Sequence, residues 1–175
     1  MAGTTRRLRS QQFIDFSRKG GSVVRFHTVP TIRPNTVAAH SFGVACILLA
    51  VTEGEASADL IRAGLCHDLP ECILGDVPAN TKFNFPDLKE HLGKLEEGVD
   101  RDNGVDVELT EAERTLVIQA DKMDLLMYIL EERVLGNRNL DGIFDVVVKS
   151  LHYGSGMIDN MRALFVEVRG RFTRG

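Results

Sequence analysis

Two histidines and two aspartates stand where apolar residues belong. A helix packed on a core shows an unbroken apolar stripe. Val37, His40, Val44, Ile47 and Val51 share one stripe at helical spacing, and His40 interrupts it. Leu60, Gly64, His67, Glu71 and Leu74 share a second, with Asp68 beside His67. Val117, Asp121, Leu125 and Tyr128 share a third, with Asp124 one turn beyond Asp121. A buried carboxylate with no partner is strongly destabilising, so acids in such places need company. Two imidazoles and two carboxylates aimed inward from three helices satisfy one another around one divalent cation. Neutral imidazole nitrogen and carboxylate oxygen suit Zn²⁺, Mn²⁺, Fe²⁺, Co²⁺ or Ni²⁺. Neighbours on a helix diverge by about 100°, so His67 and Asp68 reach one ion only if it lies between their two directions. Taken singly, each of the four also reads as a hydrogen-bonded packing residue. The order His, His-Asp, Asp on three separate helices is what points to a metal. Glu71 lies one turn past His67 on the same face and points into the same space; its plain alternative is a surface acid at a helix end.

The elements that position these residues are all helical in pattern. Apolar spacing runs at three and four, with no clean alternation anywhere. Thr5–Lys19 is expected as a first helix closed by Gly20-Gly21, and Ser22–Pro34 as an irregular stretch punctuated by Pro30 and Pro34. Thr36–Val51 follows, with Asn35 or Thr36 as N-cap. Ser57 caps a third helix, Ala58 to about Ile73, with Pro70 in its last turn as a kink. Gly75–Pro86 reads as a loop and Leu88 to about Asp100 as a polar helix ending near Gly98. Arg101–Leu109 reads as a solvated connection. Thr110 and Glu113 form a capping box opening a helix to Leu135, stopped by Gly136. Asp141 to about His152 and Met157–Phe172 supply two more. About seven helices with short joints make an all-α bundle, expected as a single domain over residues 1–175.

Length and composition agree with this. A chain of 175 residues with 43% hydrophobic and 26% charged residues excludes a disordered or fibrous class. A formal charge of −4 speaks against binding a nucleic-acid polymer. Cys46, Cys66 and Cys72 are odd in number and suit free thiols in a reducing compartment; Cys46 and Cys66 are expected as small core fillers. Met1–Ser10 is basic without the apolar stretch of a secretory signal. The longest apolar run, Val44–Val51, is far short of a membrane span. The expected setting is the cytoplasm, with no membrane partner.

His40, His67-Asp68 and Asp121 resemble the H…HD…D signature of HD-domain metal-dependent phosphohydrolases. Local context narrows the likeness. Arg25-Phe26, Arg33 and Val37-Ala38-Ala39-His40-Ser41 resemble the R-W…R…V-x-E-H-S segment of the YfbR-like 5′-deoxynucleotidases. His67-Asp68-Leu69-Pro70-Glu71, Gly75-Asp76-Val77-Pro78 and Lys82 resemble their H-D-x-x-E…G-D-x-P…K segment. Gln119-Ala120-Asp121 resembles their Q-A-D. The likeness covers roughly residues 20–135.

It implies a helical HD domain with one catalytic divalent metal, because His91 is the one histidine between the HD pair and Asp121. It implies that Glu71 and Asp76 are catalytic, one taking and one giving a proton; Asp76 alone would read as a turn residue. Arg25, Arg33 and Lys82 become candidates for neutralising phosphate, against a plain reading as solvated charge. Phe26 and Pro78 become candidate walls for the nucleobase, and His27 and Thr28 lie close enough to trim base selectivity. Two positions depart from the pattern: Phe26 replaces the usual Trp, and Ala39 replaces the usual acid before the first histidine. The expected substrate is a small 2′-deoxynucleotide, and the expected assembly a homo-oligomer, a dimer or a multiple of dimers. The chain's length favours the short, DatZ-like phage branch, which takes dATP to deoxyadenosine and triphosphate in the host cytoplasm. The alternative within the family is orthophosphate release from deoxynucleoside monophosphates. A nucleotide-signal phosphodiesterase would show more histidines. A helical adaptor without catalysis would have no need of Glu71.

Overall fold

Thr36 starts the central helix. Its hydroxyl accepts from the Ala39 N–H at 3.3 Å, which fixes α2 (Val37–Val51). Ser57 does the same for α3 (Ala58–Cys66), accepting from Leu60 N–H at 3.0 Å. Thr110 and Glu113 form the expected capping box at the head of α7 (Glu111–Val134), the longest element. The structure, a computed structural model, describes residues 10–153 and 157–172. Among the described residues the remaining helices are α1 (Ser10–Gly21), α4 (Glu71–Leu74), α5 (Ala79–Asn84), α6 (Pro86–Asn103), α8 (Asp141–Tyr153) and α9 (Asp159–Phe172), and none forms a strand. The architecture is an all-α bundle, as the spacing predicts. The part of the first expected helix before residue 10 lies outside the described residues.

α2 packs against both α3 and α7, and α7 also packs against α8 and α9. Val44, Leu48, Met123, Leu126 and Met161 fill the main core with no exposure above 0%. Burying each such side chain contributes about 1.5–3 kcal/mol. A second cluster joins Phe16 of α1 to Val37, Cys66, Leu69 and Val105.

Several boundaries differ from the sequence expectation, each for a physical reason. The third helix does not continue to Ile73. Pro70 lacks an N–H and its ring blocks the carbonyl four residues back, so residues 67–70 tighten into a turn. Leu69 N–H bonds to Cys66 O at 3.0 Å and Glu71 N–H to Asp68 O at 3.1 Å, both spans of three. The loop before Pro86 contains α5. The polar helix begins at Pro86, a favoured first residue, and runs through Gly98 to end at Gly104, whose φ of 68° is left-handed. The connection after it is not wholly solvated, because Val105 is buried in the second cluster. Gly20 lies inside α1 rather than closing it. A Cβ there would sit 2.6 Å from the Leu69 side chain and 2.9 Å from its Cα, so Gly20 lets α1 approach the 67–70 turn. Cys66 is buried as expected, but Cys46 is exposed. α2 is apolar all round, and Cys46 falls on its outer face with Phe42 and Leu49.

The irregular stretch 22–36 is stapled rather than loose. Val24 and Thr36 make an isolated antiparallel bridge. Arg25 N–H bonds to Asn35 O at 2.9 Å, and Val37 N–H to Val23 O at 3.0 Å. This strap carries Arg25 and Phe26 to the mouth of the bundle.

Candidate active site

α2, the 67–70 turn and α7 bring their polar interruptions to one point. His40 Nε2 lies 3.3 Å from His67 Nε2 and 3.1 Å from Asp121 Oδ1. Ligating atoms of His40, His67 and Asp121 all fall within 4.8 Å of one another. Asp68 Oδ2 lies 3.6 Å from His40 Nε2 and 3.4 Å from His67 Nε2, and it also receives a hydrogen bond from Arg25 Nη1.

The outward nitrogens decide what the inward ones can do. His40 Nδ1 lies 2.6 Å from Asp124 Oδ2, and a carboxylate only accepts, so Nδ1 carries the hydrogen. His67 Nδ1 lies 3.0 Å from the Gly64 carbonyl and is fixed in the same way. Both neutral imidazoles therefore turn an Nε2 lone pair toward the other. Two lone pairs facing at 3.3 Å repel unless a positive charge sits among them. In the protein without a cation a proton serves. Burial pulls the His40 pKa down, but the hydrogen bonds to Asp121 and Asp124 outweigh it and raise the pKa to about 9. Burial likewise pushes Asp121 and Asp68 upward. The His40 bond, the imidazoles and Arg25 overcome that and hold Asp121 well below the carboxylate range; His67, Arg25 and His40 keep Asp68 low. Imidazole nitrogen and carboxylate oxygen, preset as acceptors, fit a divalent transition metal.

Beside this cluster stands Glu71. Its Oε2 is buried with no hydrogen-bond partner among the described residues. Burial first, then the charges of Asp68 and Asp76, push its pKa up to about 8, against the opposing pull of Arg25 and Lys82. Such a poised carboxyl suits proton transfer. Asp76 faces it from the loop after α4 and lies 3.2 Å from His27 Nδ1 on the strap.

The other sequence candidates divide. Arg25 is largely buried, and the negative charges of Asp68, Asp121, Glu71 and Asp76 all favour its cation. Lys82 is close enough to act on Glu71 and also lies 3.8 Å from Glu96. Arg33 is turned elsewhere, with Nη2 at 2.7 Å from Glu131 and Nε at 3.4 Å from Glu132. Phe26 has a positive φ of 60° and stacks on Tyr128 at 5.2 Å with 12° between the rings. Non-glycine residues in that region cost about 1–3 kcal/mol, which the strap must hold. Pro78 is half-buried and Thr28 is exposed.

Two carboxylates escaped the sequence reading as site residues. Asp124 was visible on the stripe of Asp121, but its partner was not. Glu132 follows Tyr128 by one turn, the same kind of interruption that marks His40. It is fully buried, and accepts from Ile32 N–H at 2.7 Å, Arg33 N–H at 3.0 Å and Asn137 Nδ2 at 2.7 Å. It therefore anchors the far end of the strap.

A family model described as YfbR-like 5′-deoxynucleotidase matches residues 12–103, more than half of the chain. No curated protein sequence matches. Solved structures share the fold, two of them as follows. The PH0347 protein of Pyrococcus horikoshii OT3 is similar at TM-score 0.71 and 22% identity, over 93% of this chain and 99% of that one. The HD phosphohydrolase DatZ of cyanophage S-2L, bound to dA and one catalytic Zn²⁺ ion, is similar at TM-score 0.70 and 16% identity, over 92% of this chain and 96% of that one. Among the described residues no helix is long and apolar enough to cross a membrane. The chain belongs to the YfbR-like 5′-deoxynucleotidase family and is a metal-dependent hydrolase of deoxynucleotide phosphoric esters.

Proposed function

We propose that this enzyme hydrolyses dATP to deoxyadenosine and triphosphate, using one divalent cation held by His40, His67, Asp68 and Asp121. The observation that carries the reading is the convergence of preset acceptor atoms from three elements beside the buried carboxyl of Glu71. The likeness in fold to DatZ, solved with dA, supports the base and the sugar.

A cation bound in this set supplies Lewis acidity to a phosphoryl oxygen and lowers the pKa of a water. The protein's own groups do the rest. Arg25 and Lys82 offset the charge of the polyphosphate, Arg25 from a buried position where its charge is poorly screened. Glu71 and Asp76 flank the scissile bond. One takes a proton from the attacking water and the other gives one to the leaving 5′ oxygen, so that water adds to the α-phosphorus as the P–O5′ bond breaks. Phe26, backed by Tyr128, and Pro78 wall the base, with Thr28 at the rim. Arg33 serves by holding the strap through Glu131 and Glu132.

The family description supports a second reading, release of orthophosphate from deoxynucleoside monophosphates. Product analysis with each dNTP and dNMP, in Zn²⁺, Mn²⁺ or Co²⁺, separates the two. The proposal expects triphosphate and deoxyadenosine from dATP. Orthophosphate from dNMPs alone would move the assignment to the second reading. Protein that neither binds Zn²⁺, Mn²⁺ or Co²⁺ nor turns over any nucleotide would overturn both readings in favour of a helical adaptor.

A further inference from the structure

We infer that Asp124 and Gly43 form a positioning pair that fixes the orientation of the His40 ring for metal binding; this rests on the reading of His40 as a ligand. His40 is 1% exposed, and its Nδ1 hydrogen is spent on Asp124 Oδ2 at 2.6 Å. That bond aims Nε2 at His67 and Asp121. Ligating histidines commonly give their second N–H to a carboxylate or carbonyl, which sets the tautomer and raises ligand basicity. Asp124 reaches His40 from the facing helix only because residue 43, one turn past His40 on α2, has no side chain. A Cβ on Gly43 would fall 1.8 Å from Asp124 Oδ1 and 2.7 Å from its Cγ. The obstructing atoms are the movable end of a side chain and not backbone. An added methyl group therefore evicts the carboxylate without prising α2 from α7. Glycine inside a helix is otherwise unfavourable relative to alanine, so Gly43 holds its place for clearance.

The pair makes an unusual signature expected for Gly43→Ala. Thermal stability holds or rises, because alanine suits the helix. Zn²⁺ affinity, read by titration of the chelator-stripped full chain, falls about 10–100-fold, the range for lost partners of ligating histidines. The downfield imidazole N–H proton of His40, read by NMR without metal, disappears or shifts upfield. Asp124→Ala should lose affinity to the same extent. Asp124→Asn, whose carbonyl can still accept from Nδ1–H, should recover part of it. Folded Gly43→Ala and Asp124→Ala proteins with wild-type Zn²⁺ affinity would overturn the inference. His40→Ala separates the two levels. If it loses Zn²⁺ while Gly43→Ala and Asp124→Ala do not, the positioning role alone fails. If His40→Ala itself keeps wild-type affinity, the ligand assignment beneath it fails.

Discussion

Glu71→Gln is expected to lower kcat by about 10²–10⁴-fold, the usual worth of a positioned acid or base, while the protein keeps its metal. Glutamine preserves the shape of the side chain and removes the proton that can be exchanged. Glu71 bonds to none of the proposed ligands, so metal content should be unchanged. The same substitution has a second readout that needs no substrate. Burial and the neighbouring Asp68 and Asp76 raise the Glu71 pKa from its ordinary 4.5 to about 8. A carboxyl with a raised pKa holds its proton longer in the folded chain than in the unfolded one. Folding then loses stability as pH climbs from about the unfolded value through the folded one. Below the unfolded pKa the carboxyl is protonated in both states and the loss is absent. In chelator-stripped protein the melting temperature of the wild type should therefore fall relative to Glu71→Gln between pH 4.5 and about 8, then run parallel. Turnover within a few-fold of wild type would remove Glu71 from the chemistry. A flat difference across that pH window would show that its carboxyl is not held protonated.

Glu132→Ala is expected to be the most destabilising single truncation outside the hydrophobic core. The carboxylate is buried at 0% exposure and satisfies two backbone N–H groups of the strap and the amide of Asn137. Burial raises its pKa, but the bonds from Asn137, Ile32 and Arg33 win and hold it below its ordinary value. Removing the acceptor strips two part-buried backbone N–H groups of their partner and the Asn137 amide of one of its two acceptors, and each donor left unpaired costs about 1–3 kcal/mol. Breaking such a set by deleting one partner costs about 3–5 kcal/mol in total. At this chain length that lowers Tm by roughly 10 °C. Activity should fall as well, because the strap that carries Arg25 and Phe26 loses its anchor. A Tm within 2–3 °C of wild type, about 1 kcal/mol, would show that water replaces the carboxylate easily. That outcome would separate Glu132 from the site.

The parts of the site legible in the sequence were those that broke a pattern. His40, Asp121 and Glu71 each interrupt an apolar stripe, and such a break requires a partner whatever the fold. The helices were legible for the same reason: Thr36, Ser57 and the Thr110–Glu113 box announce their own starts. What escaped reading depends on facing surfaces. Gly43 gives no signal in one dimension; its meaning appears only when Asp124 stands against it. Cys46 sits in an apolar run, yet α2 is apolar on every side, so the run could not say which face turned outward. Pro70 marked a disturbance but not its extent, and the full break at residues 67–70 comes from the tightened turn. That break matters to the site, because it is the turn, and no regular helix, that presents His67 and Asp68 together.

One cation joining His40, His67, Asp68 and Asp121 is what everything proposed for this site requires. A crystal of Zn²⁺-loaded protein, measured on both sides of the zinc absorption edge, tests it most directly. One anomalous peak per chain is expected, about 2.0–2.2 Å from Nε2 of both histidines and from an oxygen of each aspartate. A peak bound elsewhere, or none among these side chains at saturating Zn²⁺, would contradict it.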